Sequence, residues 1–183
     1  ERRSTGDLGS RLCEPDKRAP RPLSAPCAGR GPRSGTVVPV LAVVCPGQGA
    51  QSPGMLSPWL EISGTAELLS SWSERAGVDL LAHGTTSDAE TIRDTAIAQP
   101  LLTATALATA SLLLEGSAPQ PDVLAGHSVG EFPAAALAGV LSADEAVSLV
   151  SVRGAAMARA AAATPTGMSA VLGGDPEEVL ARL

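Results

Sequence analysis

Aromatic side chains are scarce in this 183-residue chain: one Phe, two Trp and no Tyr, 2% in all. With 44% hydrophobic residues a core is still affordable, but it has to be built from Ala, Val and Leu. Ala has the best helix propensity, so the composition favours closely packed helices. No apolar run approaches the about 20 residues of a membrane-spanning helix. The longest, 37–45, is nine residues and contains Pro39, so no membrane partner is expected. The charged first residues are followed by Pro, Gly and Ser rather than by an apolar stretch, which argues against a secretory leader. Three cysteines, Cys13, Cys27 and Cys45, form neither a metal-ligand spacing nor an even disulfide set. Together these absences point to a cytoplasmic protein without a metal.

The net charge of −6 hides an asymmetry. Residues 1–37 carry eight basic side chains (seven Arg and Lys17) against four acidic ones, and the rest carries five against fifteen. A folded part that acidic repels phosphates, so nucleic acid is not an expected partner. Residues 1–36 hold five Pro and five Gly and show no hydrophobic period. They read as a disordered extension, outside the compact domain.

Order is expected from the Val-rich run 37–44, which reads as a strand buried on both faces in a parallel sheet. The following PGQGAQSPG is a loop. Helical patterns come next over 65–76, closed by Gly77, and around 88–94. A long apolar helix is expected over 95–114, closed by Gly116, with Pro100 near its first turns. Residues 122–126 read as a short strand, 126–130 as a tight turn and 129–138 as a helix ended by Gly139. Pro133 predicts an irregular start for that helix. Ser142 and Glu145 form a capping box for a helix to about Ala162. Its apolar stripe is Ala143, Ala146, Val147, Val150, Gly154, Met157, Ala158 and Ala161. Arg159 falls opposite the stripe and Arg153 at its edge. A loop at 164–167, a strand at 168–172 and a turn at Gly173-Gly174 follow. Asp175 then caps a helix with Pro176 in its first position. A chain that stops in that newly started helix is expected to be a fragment.

Gly126-His127-Ser128-Val129-Gly130 fits G-x-S-x-G, a strand–turn–helix pattern that exposes a serine hydroxyl on a sharp turn. The helix that follows aims free N–H groups and its positive dipole end at the reacting oxygen. Gly47 and Gly49 flank Gln48 after the first strand and permit a turn that presents N–H groups. That loop is no phosphate cradle, since it has neither G-x-G-x-x-G nor a following Lys. If the two strands are neighbours, both motifs lie at the carboxyl ends, where open α/β sheets place their sites.

PGQGAQ, Gln99 in IAQPLLTATAL, GHSVGE around Ser128 and LVSVRGAAM around Arg153 occur in this order. Together they resemble the malonyl-CoA:acyl-carrier-protein transacylases over roughly 38–183. The stand-alone bacterial enzymes of fatty-acid synthesis, of the actinobacterial kind, are the nearer likeness, and acyltransferase domains of polyketide synthases share the motifs. The resemblance implies an α/β fold: a hydrolase-like parallel-sheet core with an inserted ferredoxin-like small subdomain, incomplete in this chain. Residues 37–162 would supply the first part of the core and 163–183 the start of the insert.

By the same resemblance Ser128 is the nucleophile, taking a malonyl group from malonyl-CoA and passing it to the phosphopantetheine thiol of acyl carrier protein. Backbone N–H groups of Gln48 and Val129 would form the oxyanion hole. Arg153 would bind the malonyl carboxylate and Gln99 would order the site. No cofactor is implied, and the full-length protein is expected to be a monomer.

Two departures stand out. Cys45 occupies a position where the family commonly has Phe or another apolar residue. The family's general base is a histidine well downstream of the Arg153 helix, whereas this chain has only His83 and His127. His127 adjoins the nucleophile on a sharp turn, where neighbours point apart, and is not taken as the base. An isolated chain of this length should therefore turn over poorly and leave its sheet with an open edge. A polyketide-synthase-type acyltransferase is the closest alternative; a serine esterase, which also uses G-x-S-x-G, and a non-catalytic interaction fragment remain as further ones.

Overall fold

The computed structural model describes residues 40–114, 120–164, 171 and 173–182. The expectations for 1–36, for the Gly116 helix stop, for most of the 164–167 loop and for most of the 168–172 strand lie outside the described residues.

Two parallel strands anchor the chain. β1 (Ala42–Cys45) pairs with β2 (Val123–Gly126) in register, Ala42 opposite Val123 and Cys45 opposite Gly126. Asp122 extends the pairing by one rung: its N–H donates to the Leu41 carbonyl at 2.8 Å and its carboxylate accepts the Leu41 N–H at 2.9 Å. Both strands end at the same level, so the loop after Cys45 and the turn after Gly126 emerge side by side.

The burial expected for the first strand needs correcting. Cys45 is buried, but Val44 is 69% exposed and Val123 49% exposed. Parallel sheets bury strands on both faces only when helices cover both. Among the described residues the helix after the turn, α4 (Glu131–Leu137), packs against both strands.

α1 (Thr65–Ala76) ends at Gly77, whose φ of 64° supplies the left-handed stop. α2 (Leu80–Thr85), unforeseen in the sequence, is capped by Asp79, whose carboxylate accepts the Ala82 N–H at 3.0 Å. The pattern around 88–94 gives only a 3-10 turn, Thr91–Arg93. Asp88 accepts the Thr91 N–H at 2.8 Å and Asp94 the Ala96 N–H at 2.8 Å. Each carboxylate starts a new element, and the segment between them is too short for an α-helix.

Asp94 thereby starts α3 (Thr95–Leu113), the central helix, with ten buried residues including Gln99, Pro100 and Thr103. α5 (Ala143–Ala163) packs along it. The capping box forms: Glu145 N–H donates to Ser142 Oγ at 3.1 Å and Ser142 N–H to Glu145 Oε2 at 2.8 Å. The expected stripe is buried from Ala143 through Gly154, but Met157 is 39% exposed and Ala161 is exposed. Gly154 already lies against Thr95 and Ala96, at the start of α3, so later residues run past their partner. α6 (Pro176–Leu180) is short and capped by Asp175.

Leu68, Leu69 and Trp72 of α1, Leu80, Ile92, Leu101 and Leu107, and Ala146 and Val147 of α5 form the main core. Trp72 is fully buried, and its indole N–H donates to Asp144 Oδ1 at 3.1 Å. Asp144 also pairs with Arg75 at 2.6 Å, tying the start of α5 to α1. Contrary to the expectation from the nine-residue run 37–45, α3 and α5 are each long and apolar enough to cross a membrane. Most of α3 is buried inside the protein, which accounts for its apolarity.

Candidate active site

The turn after β2 has the form its sequence predicts. Ser128 has φ 55°, the one positive value of a non-glycine residue among the described ones. Such a backbone costs about 1–2 kcal/mol, and the packing on both sides holds it there. A Cβ at Gly126 would overlap the backbone of Gly130 and Glu131, and one at Gly130 would overlap the Cys45 carbonyl. The two glycines thus let the turn fold onto the end of β1. The expected helix from Val129 begins as a 3-10 turn, Ser128–Gly130, before α4 takes over at Glu131. Pro133 explains this, since it has no N–H to return to Val129. Ser128 is left exposed while Val129 is buried against Leu102 and Val150.

Arg153 reaches this serine from α5. Its Nη2 donates to Ser128 Oγ at 3.1 Å and its Nη1 to Gln99 Oε1 at 2.6 Å. Among the described residues no carboxylate pairs with it. Arg159 is exposed on the far face, as its helical angle predicts.

Gln99 is 1% exposed and uses both ends of its amide. Besides accepting from Arg153, it donates through Nε2 to Gln48 Oε1 at 3.4 Å and to Met157 Sδ at 3.1 Å. Gln48 in turn donates through Nε2 to Thr95 Oγ1 at 3.3 Å and the Arg93 carbonyl at 3.4 Å. Ser128, Arg153, Gln99 and Gln48 therefore form one continuous polar chain. The backbone N–H groups of Gln48 and Val129 have no hydrogen-bond acceptor among the described residues.

Sequence reasoning missed two members of this region. The apolar stripe makes Met157 a packing residue alone, yet its sulfur accepts from Gln99 Nε2. The motif makes Gln51 only the last residue of a loop, yet it binds both Gly49 and Ile92. The signal for Gln51 was its place at the end of PGQGAQ, where a long amide can fold back onto a glycine-rich turn.

Neither histidine serves the serine. His83, on α2, has its Nδ1 2.9 Å from Ser87 Oγ, just past the end of that helix. The His127 ring fills the space beside Gly47. Cys45 is buried at the end of β1, and burial pushes its thiol pKa up, which makes it a small packing group rather than a nucleophile. Among the described residues no three His, Cys, Asp or Glu side chains gather as metal ligands.

An exposed serine on a strained turn, a cation on its oxygen and two free amides at the strand ends form a site suited to acyl transfer. Comparison with known proteins agrees. A malonyl CoA-acyl carrier protein transacylase of Mycobacterium tuberculosis is 54% identical over 146 residues, covering 79% of this chain and 48% of that protein. The solved structure of MCAT from Mycobacterium tuberculosis superposes with a TM-score of 0.69 at 51% identity, over 78% of this chain and 48% of that one. A malonyl-transacylase solved in complex with a type II polyketide acyl-carrier protein gives a TM-score of 0.57 at 33% identity, over 67% and 40%. The chain thus spans about half the length of the curated relatives it matches. With the acyl transferase domain family matching residues 42–182, this chain belongs to that family.

Proposed function

We propose that Ser128 carries a malonyl group from malonyl-CoA to the phosphopantetheine thiol of acyl carrier protein, in fatty-acid synthesis. The observation that carries this reading is Arg153, a cation with no carboxylate partner among the described residues, held on the nucleophile itself at 3.1 Å. An acyl group ending in a carboxylate can supply the missing partner, and a guanidinium binds a carboxylate through paired N–H donors. A simple esterase has no use for such a group.

In the first half-reaction Ser128 Oγ attacks the thioester carbonyl carbon. The C–S bond breaks, coenzyme A leaves as its thiol, and the serine proton reaches it by way of a base. In the second, the carrier-protein thiol attacks the seryl ester and its proton returns to Ser128. Backbone N–H groups of Gln48 and Val129 stabilise the oxyanion in both steps, and Gln99 holds Arg153 in place. No cofactor is needed. The base is neither His83 nor His127, and the family resemblance assigns it to a histidine after the Arg153 helix.

The same resemblance supports a hydrolase-like core begun by residues 37–162, with a ferredoxin-like insert beginning at 163–183. It also supports a cytoplasmic, monomeric enzyme.

The test uses the protein expressed from its natural reading frame. Incubation with malonyl-CoA should add one malonyl group by intact mass, and Ser128→Ala should add none. Absence of the adduct on the wild-type protein rejects the reading. Loss of the acyl group to water with none reaching acyl carrier protein would favour the esterase.

A further inference from the structure

We infer that Gln51 is a positioning residue for the oxyanion hole: its side-chain carbonyl clamps the Gly49 N–H and so locks the two-glycine loop that presents the Gln48 amide. This rests on the acyl-transfer reading of Ser128 and deepens it.

The loop has little else to hold it. Gly47 and Gly49 carry no side chains, and Gly49 sits at φ 112°. A residue in that region has many alternatives once released. The one backbone hydrogen bond found inside the loop, Ala50 N–H to the Gly47 carbonyl, is long at 3.4 Å. The Gln48 side chain makes three contacts, to Thr95 at 3.3 Å and to Arg93 and Gln99 at 3.4 Å each, all longer than the bond Gln51 makes to Gly49. Gln51 binds more tightly. Its Oε1 accepts the Gly49 N–H at 2.8 Å, and its Nε2 donates to the Ile92 carbonyl at 3.2 Å. Ile92 is 1% exposed and belongs to the main core. One side chain thus fixes the glycine turn and ties it to the buried core.

The requirement comes from the chemistry. An oxyanion donor works only if it is already aimed when charge develops. Gln48 and Val129 stand on different strand ends, and Val129 is fixed by burial while Gln48 is exposed. The Gln48 side therefore needs a separate restraint. Loosening a donor costs less than deleting one, so the expected loss lies below the ~10²–10³ of deletion.

The experiment compares wild type, Gln51→Met and Gln51→Glu in the protein from its natural reading frame. Met has similar length but no acceptor of comparable strength, whereas Glu keeps the oxygen that faces Gly49. Acylation by malonyl-CoA should fall roughly tenfold in kcat for Gln51→Met with KM unchanged, as for a donor lost only in the transition state. Amide hydrogen exchange at Gly49 should quicken in Gln51→Met and stay protected in Gln51→Glu. Unchanged kcat in Gln51→Met, a change confined to KM, or equal exchange in the two variants overturns the inference. Should Gln51→Met fail to fold, loss of Gly49 protection in a folded Gln51→Glu overturns it as well.

An organophosphonate that labels Ser128 separates this inference from the malonyl reading, because its P=O oxygen occupies the same hole. If wild type ignores malonyl-CoA but is labelled, the malonyl reading fails and the roughly tenfold effect is read on the labelling rate. If neither reagent reacts with wild type, both fail.

Discussion

Arg153 Nη2 donates to Ser128 Oγ across 3.1 Å, joining the middle of one helix to the sharp turn at the end of a strand. The same guanidinium is braced from behind by Gln99 at 2.6 Å. A guanidinium has five N–H donors, so these two bonds leave others for a substrate carboxylate.

Arg153→Ala should therefore discriminate between acyl groups. Hydrogen bonds to charged groups contribute about 1.5–3 kcal/mol, so kcat/KM for malonyl-CoA should fall by about 10- to 100-fold. For acetyl-CoA, which has no carboxylate to lose, the fall should be small. Steady-state kinetics on both thioesters checks this, and equal losses would sink the carboxylate-binding role.

Ser128→Gly should abolish acylation and stabilise the fold. Relief of the φ 55° backbone returns about 1–2 kcal/mol, against about 0.5–1 kcal/mol for the added freedom of glycine in the unfolded chain. A net gain of about 0.5–1 kcal/mol should appear as a higher urea midpoint. Ser128→Ala keeps a Cβ and should show no such gain.

Gly130→Ala should be among the most damaging single-methyl additions. The new Cβ would fall on the Cys45 carbonyl, which is backbone and cannot swing aside. Ordinary overpacking costs about 1–3 kcal/mol, and this site should reach the upper end or beyond. Urea unfolding measures the loss, and Ser128 labelling should fall with it.

Glu145 gives a pH signature. The Ser142 backbone N–H, and then its hydroxyl, hold the Glu145 carboxyl below its ordinary value of 4.5. A folded-state pKa that is depressed contributes stability fully above the unfolded value, and that contribution is lost as pH falls through the folded value. Wild type should therefore melt above Glu145→Gln at pH 6, and the gap should close as pH drops below 4.5 toward the folded value. A gap unchanged down to pH 3 would contradict the assignment.

Much of this architecture was readable from local chemistry. Gly77, the Ser142–Glu145 box and Asp175 mark helix ends through their own backbone bonds, so their positions needed no tertiary information. The turn at Ser128 was readable for the same reason, because glycines on both sides of a serine permit one close approach. What failed depends on neighbours. The strand at Val44 looks buried by composition, yet burial is decided by what covers each face. α2 is six residues long, shorter than a hydrophobic period can reveal, and its cap at Asp79 was the available sign. The Gln48–Gln99–Arg153 chain joins residues 51 and 54 positions apart, and no spacing rule brings those side chains together.

Gly154 stands beside Arg153 and packs on the start of α3, where a Cβ would lie 2.8 Å from the Thr95 carbonyl oxygen. Its missing methyl sets how near the two helices lie, and hence how far into the cleft the neighbouring arginine reaches. The spacing around Ser128 is thus set in part by a residue that has no side chain to put there. A change of cargo could begin there, in the spacing of the scaffold, with every polar group of the site left in place.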